Sequence, residues 1–211
     1  MMSKNINFDQ IKNYFDQKLT DHGATPRGAD WNSDASQALR FEQLVKICRS
    51  DQPFSIIDYG CGYGALVDFL TVKGYSYHYT GFDLLEPMVR KAREVYSTFP
   101  HCTFTAQEAD LKAADCCIAS GIFNIKFQYS DETWTEYVIQ VLNKMDSLSK
   151  NGFSFNMLTV YSDTDHMRPD LYYADPCFLF DYCKRHFAKN VALLHDYGLY
   201  DFTILVRKQI A

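Results

Sequence analysis

The stretch Ser55–Leu70, SIIDYGCGYGALVDFL, joins one carboxylate, Asp58, to three glycines at alternate positions, Gly60, Gly62 and Gly64. Glycines at a strand-to-helix turn let the backbone bend tightly and approach a ligand with no Cβ in the way. Their spacing fits two cofactor loops, GxGxG or, because Ala65 follows, the GxGxx(G/A) of a dinucleotide site. Asp58 separates the two by charge. Beside a pyrophosphate its carboxylate would face two negative charges at lowered dielectric, a cost of a few kcal/mol. Beside an ammonium or a sulfonium it attracts instead.

S-adenosylmethionine carries both of those cations and no phosphate, so the sign of the charge favours it over NAD. A second acid, Asp83, ends the run YHYTGFD about one βαβ step beyond the loop. A carboxylate there can accept hydrogen bonds from both ribose hydroxyls. Dinucleotide enzymes use the same device, so Asp83 points to an adenosine cofactor without choosing between the two.

These residues need a frame of alternating strands and helices. Short apolar runs predict strands at Phe54–Asp58, Tyr77–Asp83, Thr103–Ala106, Cys116–Ser120 and Gly152–Leu158. Amphipathic stretches predict helices at Gly64–Lys73, Pro87–Thr98, Glu132–Leu148 and roughly Pro176–Phe187, with a short turn near Leu111. Gly74 suits a helix C-terminus and Pro87 a first helical turn. The tail NVALLHDYGLYDFTILVRK gives two β-rich runs too close together for a helical crossover, so they should pair as an antiparallel hairpin. Ahead of this frame, Phe8, Ile11, Phe15 and Leu19 recur at helical spacing, and a second helix is read over Asp34–Cys48.

At these positions the chain resembles the class I S-adenosylmethionine-dependent methyltransferases. IIDYGCGYGALVDFL is similar to their first motif, YTGFDLLEPMVRKAR to their second strand and following helix, and ADCCIASGIFN to their fourth strand. The likeness runs from Phe54 to the C-terminus and includes the hairpin that distinguishes this fold from dinucleotide-binding Rossmann domains. It implies an α/β, Rossmann-like, mostly parallel sheet with an antiparallel C-terminal hairpin and an N-terminal helical extension. Residues 1–50 form that extension or lid, and 51–211 the cofactor-binding domain. It also implies roles. Asp58 and the backbone of Gly60, Cys61, Gly62 and Gly64 would flank the methionine portion of the cofactor, while Asp83 and Leu84 would hold the ribose. Among Gln107, Glu108 and Asp110, Glu108 is the reading for the adenine edge. Ser120 and Gly121 would meet the cofactor through backbone, with Phe123 or Asn124 facing the reacting methyl.

Methyl transfer from a sulfonium is an in-line displacement from an activated donor. The protein aligns, desolvates and, where needed, removes the acceptor's proton. The segment YSDTDHMRPDLYYADP follows the fifth strand and should lie on the cofactor side. In it His166 is the candidate base, because its ordinary pKa is near neutrality, with an ordinary surface histidine as the plain alternative. Tyr172 and Tyr173 are candidates for acceptor contact. Asp163, Asp165 and His166 resemble a solvated loop more than a metal site, so no metal is expected. Residues 22–41 carry Trp31 and Arg40. As a lid they bring Arg40 to the cofactor carboxylate and Trp31 to the pocket wall. As a plain extension they cover the sheet edge and bury Trp31 in the core.

Composition narrows the partners. A net charge of -5 lacks the basic excess of nucleic-acid binders, and no apolar run approaches a membrane span or a secretory signal. The chain reads as cytoplasmic and as a monomer or homodimer. Its 7 cysteines include no CxxC, which argues against a disulfide framework or a structural zinc. The expected function is methyl transfer to oxygen or nitrogen of a small-molecule acceptor. The alternatives are a catalytically silent S-adenosylmethionine-binding partner or sensor and, against the Asp58 argument, an NAD-dependent oxidoreductase.

Overall fold

A computed structural model describes residues 6–30, 33–49 and 51–208. Seven strands form one sheet: β1 Phe54–Tyr59, β2 Tyr77–Phe82, β3 Cys102–Thr105, β4 Ala114–Ala119, β5 Ser149–Leu158, β6 Asn190–Leu194 and β7 Asp201–Arg207. Their order is β3-β2-β1-β4-β5-β7-β6. The first five run parallel, while β7 pairs antiparallel with β5 and with β6. The order reverses between β1 and β4, so the carboxyl ends of these two strands open a crevice, the usual ligand position of such sheets.

Among the described residues, six α-helices accompany the sheet: α1 Asp9–His22, α2 Asp34–Leu44, α3 Ala65–Val72, α4 Glu86–Val95, α5 Asp131–Leu148 and α6 Pro176–His186. Their starts follow capping chemistry. Ser33 accepts from Ser36 N at 3.2 Å, Ser130 from Thr133 N at 3.3 Å, and Asp175 from Cys177 N and Phe178 N at 2.8 and 3.2 Å. Pro87 and Pro176 sit in first turns, and Gly74, at φ 73°, follows the end of α3. On α5 the buried residues Trp134, Tyr137, Val138, Val141, Leu142, Met145 and Leu148 recur every three or four positions and cover one sheet face. Trp134 is fully buried, and its indole N–H donates to Phe123 O at 2.7 Å, which satisfies the one polar group it takes inside.

Alternation along the strands divides the core. Ile57, Phe153, Phe155 and Met157 join the α5 side, whereas Ile56, Cys116, Ile118 and Leu205 pack with Leu66, Leu70 and Val89 from α3 and α4. β5 starts three residues before Gly152, with a shift of register between Ala114 and Cys116 on β4. The polar sequence Ser-Lys-Asn hid that start. Gly152 itself lies close to β7, since a Cβ there would stand 2.2 Å from Val206 O. No helix among the described residues is long and apolar enough to cross a membrane.

The two helices ahead of β1 behave differently. α2 contributes Phe41 and Leu44 to the same core as Ile56 and Leu66. α1 has no buried residue of its own; Phe8, just ahead of it, and Ile11 and Phe15 line the cavity at the carboxyl end of the sheet while packing against the edge of the core. Trp31 lies outside the described residues.

Candidate active site

The strand-to-helix turn after β1 is anchored by hydrogen bonds from Gly60 N and Cys61 N to Phe82 O, at 2.7 and 2.9 Å. Gly60 and Gly62 are glycine for different reasons. At Gly60, φ is 86° and a Cβ would stand 2.2 Å from Ile122 Cγ2, so the chain has no room. At Gly62, φ is 54° and nothing lies within 4 Å of a Cβ position, so this backbone faces open space. That space is a cavity of about 410 Å³. Of the sequence-predicted residues, Arg40, Asp58, Gly60, Cys61, Gly62, Asp83, Leu84, Ser120, Gly121 and Asn124 line it.

Asp58 accepts a hydrogen bond from the Tyr79 hydroxyl at 2.8 Å and is 3 % exposed. Burial pushes its carboxyl up to about 7 against that hydrogen bond, and the nearby Asp83 charge adds to the rise. Asp83 accepts from Gly62 N at 2.8 Å and from Leu85 N at 2.9 Å, so the second acid also holds the loop that follows the first. Its pKa too is raised by burial, with the two backbone N–H groups opposing. Two acids buried in one cavity favour a cationic ligand. Each Asp83 oxygen keeps a lone pair beyond its backbone partner for a hydroxyl donor. The Ser120 hydroxyl is buried in the wall with no hydrogen-bond partner among the described residues. A polar ligand with both donors and acceptors would satisfy it.

Arg40 reaches the cavity from α2 while forming a buried ion pair with Asp201 at the start of β7 and donating to Ser36 O at 3.1 Å. Asp201 is raised by burial, and Arg40 opposes that rise. The pair spans 161 residues of sequence and fixes α2 over the crevice. Gly121, at φ 72°, donates its N–H to Asn156 Oδ1 at 2.8 Å, and Asn124 Oδ1 accepts from Leu158 N at 3.3 Å. The segment after β4 is thereby tied to β5 and held at the cavity wall.

Six of the expected residues lie off the cavity wall in this structure. Gly64 starts α3 at φ 89°, packed against Tyr96 and Phe104. Glu108 accepts from the Tyr59 hydroxyl and stands 3.5 Å from Lys144 Nζ; Tyr59 and Tyr137 line the cavity in its place. Phe123 is fully buried in the core beside α5. His166 is exposed, with Nδ1 3.3 Å from the Tyr200 hydroxyl. Asp163, Asp165 and His166 do bring ligand-type atoms within 4.8 Å of one another, but all three are solvated surface groups. Tyr172 is buried with its hydroxyl 2.6 Å from Thr135 Oγ1, and the Tyr173 hydroxyl accepts from Arg168 N at 2.9 Å. Their segment instead presents Arg168 and Leu171 to the cavity.

Sequence reasoning also passed over the apolar part of the cavity wall. Phe8, Ile11 and Phe15 form part of it, with Ile122 and Ile125. The signal was present, since the first three carry the helical periodicity of α1, but periodicity does not tell a face packed on a core from one packed on a cavity.

Comparison with known proteins agrees with this geometry. Residues 56–152 match the family described as "Methyltransferase domain". The chain is 49% identical over 164 residues to "Putative methyltransferase Rv1506c" of Mycobacterium tuberculosis, covering 78% of this chain and 99% of that protein. Its fold is similar to a crystal structure of magnesium protoporphyrin IX methyltransferase from Synechocystis PCC 6803 with bound SAM. The TM-score is 0.66 at 16% identity, over 98% of this chain and 100% of that one. N-methyltransferase NodS from Bradyrhizobium japonicum WM9, in complex with S-adenosyl-l-homocysteine, aligns with a TM-score of 0.64 at 13% identity, over 95% and 99% of the two chains. With a buried acid, a glycine loop and a second acid arranged on a sheet that ends in an antiparallel hairpin, the chain belongs to the class I S-adenosylmethionine-dependent methyltransferases.

Proposed function

We propose that the protein methylates oxygen or nitrogen of a small-molecule acceptor, with the cofactor held across the carboxyl ends of β1, β2 and β4. The observation that carries this reading is Asp58, a buried carboxyl whose pKa is raised to about 7 inside a cavity large enough for a ligand beyond the glycine loop. The ammonium of the cofactor would compensate that charge. Asp83 would accept from the ribose, and Gly62 would let the ligand approach the backbone. Arg40 is the group for the cofactor carboxylate. Bound S-adenosylmethionine supplies an electrophilic methyl, and the chain's own residues orient the acceptor and exclude water.

The cavity supports an open acceptor route rather than a closed sensor pocket, because its walls extend past the cofactor loop to α1 and to Ile122, Asn124 and Ile125. The tyrosines in the wall are poor bases. Burial raises Tyr63 to about 12 and pushes Tyr59 and Tyr137 up as well. This favours an acceptor that reaches the site already deprotonated or as a neutral amine.

The first test is calorimetry with S-adenosylmethionine and S-adenosylhomocysteine, followed by a search for labelled methyl transfer into a metabolite extract. Absence of binding by both ligands at high micromolar concentration would overturn the cofactor assignment, and binding without transfer to any compound would favour a silent binder.

Binding should also depend on pH with a definite sign. Asp58 in the free protein is protonated below about 7, and an adjacent ammonium pulls its pKa down on binding. Affinity for either ligand is therefore full above 7 and falls by up to about tenfold per pH unit below it, with protons released on binding. Titration in buffers of different ionisation enthalpy measures that release, and a flat affinity from pH 5 to 8 would remove Asp58 from the ammonium site.

A further inference from the structure

Among the described residues, two guanidinium groups line the cavity, Arg40 and Arg168, and the cofactor reading uses the first of them. Arg40 lies on α2, in an ion pair with Asp201. Arg168 lines the cavity from the segment after β5, well separated in sequence from the glycine loop. It is built into place. Asp170 accepts from Arg168 Nε at 3.0 Å and also from Nη2, a two-point grip that fixes the plane of the guanidinium. The Arg168 backbone N–H donates to the Tyr173 hydroxyl at 2.9 Å. Lys126 N and Phe127 N both donate to Asp170 O at 3.0 Å, tying this segment to the one that follows β4. Asp170 itself is not part of the cavity wall. The grip on Nε and Nη2 leaves the remaining N–H groups of the fork, those of Nη1 among them, for another acceptor.

The third acid in the wall, Asp30, acts on Arg168 through its charge but makes no two-point grip on it. Asp30 accepts from the Tyr14 hydroxyl at 2.8 Å and meets Lys18 Nζ at 2.7 Å, so both its oxygens already have partners on α1. Between these charged groups the wall is apolar, with Phe8, Ile11, Phe15, Ile125 and Leu171. An acceptor seated there meets a greasy surface and one oriented cation.

We propose that Arg168 sets acceptor specificity, and that the acceptor is an amphipathic acid whose apolar body packs on α1 and whose carboxylate is bound by Arg168. This rests on the methyltransferase reading above and names the acceptor class for the same site. Arg168 is a binding residue here and takes no proton in the transfer. Because its side chain is 56% exposed, solvent competes and the preference it confers is moderate.

The test compares carboxylic acids with their neutral carboxamides on the protein saturated with S-adenosylhomocysteine. Suitable probes are decanoate, 4-phenylbutyrate and 2-naphthoate with the three matching amides, followed by ligand-observed NMR. The acids should bind about tenfold more tightly than the amides, as expected for a charge-assisted contact. Arg168→Gln should erase that preference while leaving S-adenosylhomocysteine affinity within about twofold, and Arg168→Lys should restore part of it because the charge is kept without the fork. Equal binding of acids and amides, no binding of any acid at millimolar concentration, or a preference that survives Arg168→Gln each overturns the proposal. Loss of S-adenosylhomocysteine binding by the unmodified protein would instead sink the cofactor reading, so the two failures are distinguishable.

Discussion

Asp58→Asn is expected to raise the melting temperature of the ligand-free protein at pH 8 while removing at least about 100-fold of its affinity for S-adenosylmethionine, an effect on the order of a lost charge-assisted contact inside a cavity. The stability sign follows from the pKa. In the folded chain the carboxyl is raised from 3.8 to about 7, so the folded state binds the proton more tightly than the unfolded state. Stability contributed by the protonated form is full below 3.8 and is lost as pH rises to about 7. Above that the ionised group is a net cost, on the order of 2–4 kcal/mol. Asparagine carries no charge and its carbonyl can still accept from the Tyr79 hydroxyl, at the cost of burying an amide N–H₂. A net gain of roughly 5 °C at pH 8 is expected for a chain of this length, shrinking toward zero near pH 4. Thermal melts of both proteins across that range measure it. A variant less stable at pH 8 than at pH 4, relative to the parent, would contradict the assigned sign.

Such a result would show a site that holds an uncompensated charge ready for its ligand. In the proposed site the cofactor's ammonium would supply the missing partner, so part of the destabilisation in the free protein would return as binding selectivity. A neutral or anionic ligand gains nothing from Asp58.

Asp83→Ala should have a comparable effect on binding through a different route. Asp83 is the shared acceptor for Gly62 N and Leu85 N. Removing it takes away the proposed ribose contact and also unties the loop that presents Gly62 to the cavity. Loss of at least about 100-fold in S-adenosylhomocysteine affinity is expected. The free protein should also show faster hydrogen exchange at the Gly62 and Leu85 amides, by roughly tenfold or more. Asp83→Asn should be intermediate, because its one carbonyl can serve only part of this set. If affinity falls while both amides exchange as slowly as in the parent, Asp83 acts on the ligand alone and the loop is held by other groups, such as the bonds to Phe82 O.

The contrast between Asp58 and His166 shows what kind of site residue is legible in a sequence. Asp58 is the penultimate residue of β1, a strand buried along nearly its whole length, and three glycines at alternate positions begin two residues later, so its position is fixed by local geometry. His166 sits in an irregular stretch between Tyr161 and Asp175, where residue type carries chemical promise but no direction. In that stretch Tyr172 turns into the core, Tyr173 binds the Arg168 backbone, His166 meets solvent, and Arg168 takes the cavity position. Which way each turns depends on hydrogen bonds to residues 124–127, about 40 positions upstream, such as Tyr172 N to Asn124 O at 2.8 Å.

Phe123 and Glu108 lie off the cavity wall for a related reason. Both stand where the family places cofactor contacts, one after β4 and one after β3. Trp134 on α5 draws the backbone of Phe123 inward through its indole N–H, and the Tyr59 hydroxyl occupies Glu108. A motif fixes where the backbone passes, and side chains from other elements then decide what faces the ligand.

By itself the sequence determined the order of strands and helices, the antiparallel tail and the charge of the cofactor pocket, because each is set within one short segment by periodicity, capping or turn chemistry. Only the tertiary structure decided that Phe41 and Leu44 of α2 join the core while Ile11 and Phe15 of α1 line a cavity, that Arg40 is held by Asp201, and that Arg168 lines the same cavity. Those outcomes depend on contacts between segments far apart in the chain, where burial and pairing choose among side-chain directions that local pattern leaves equal.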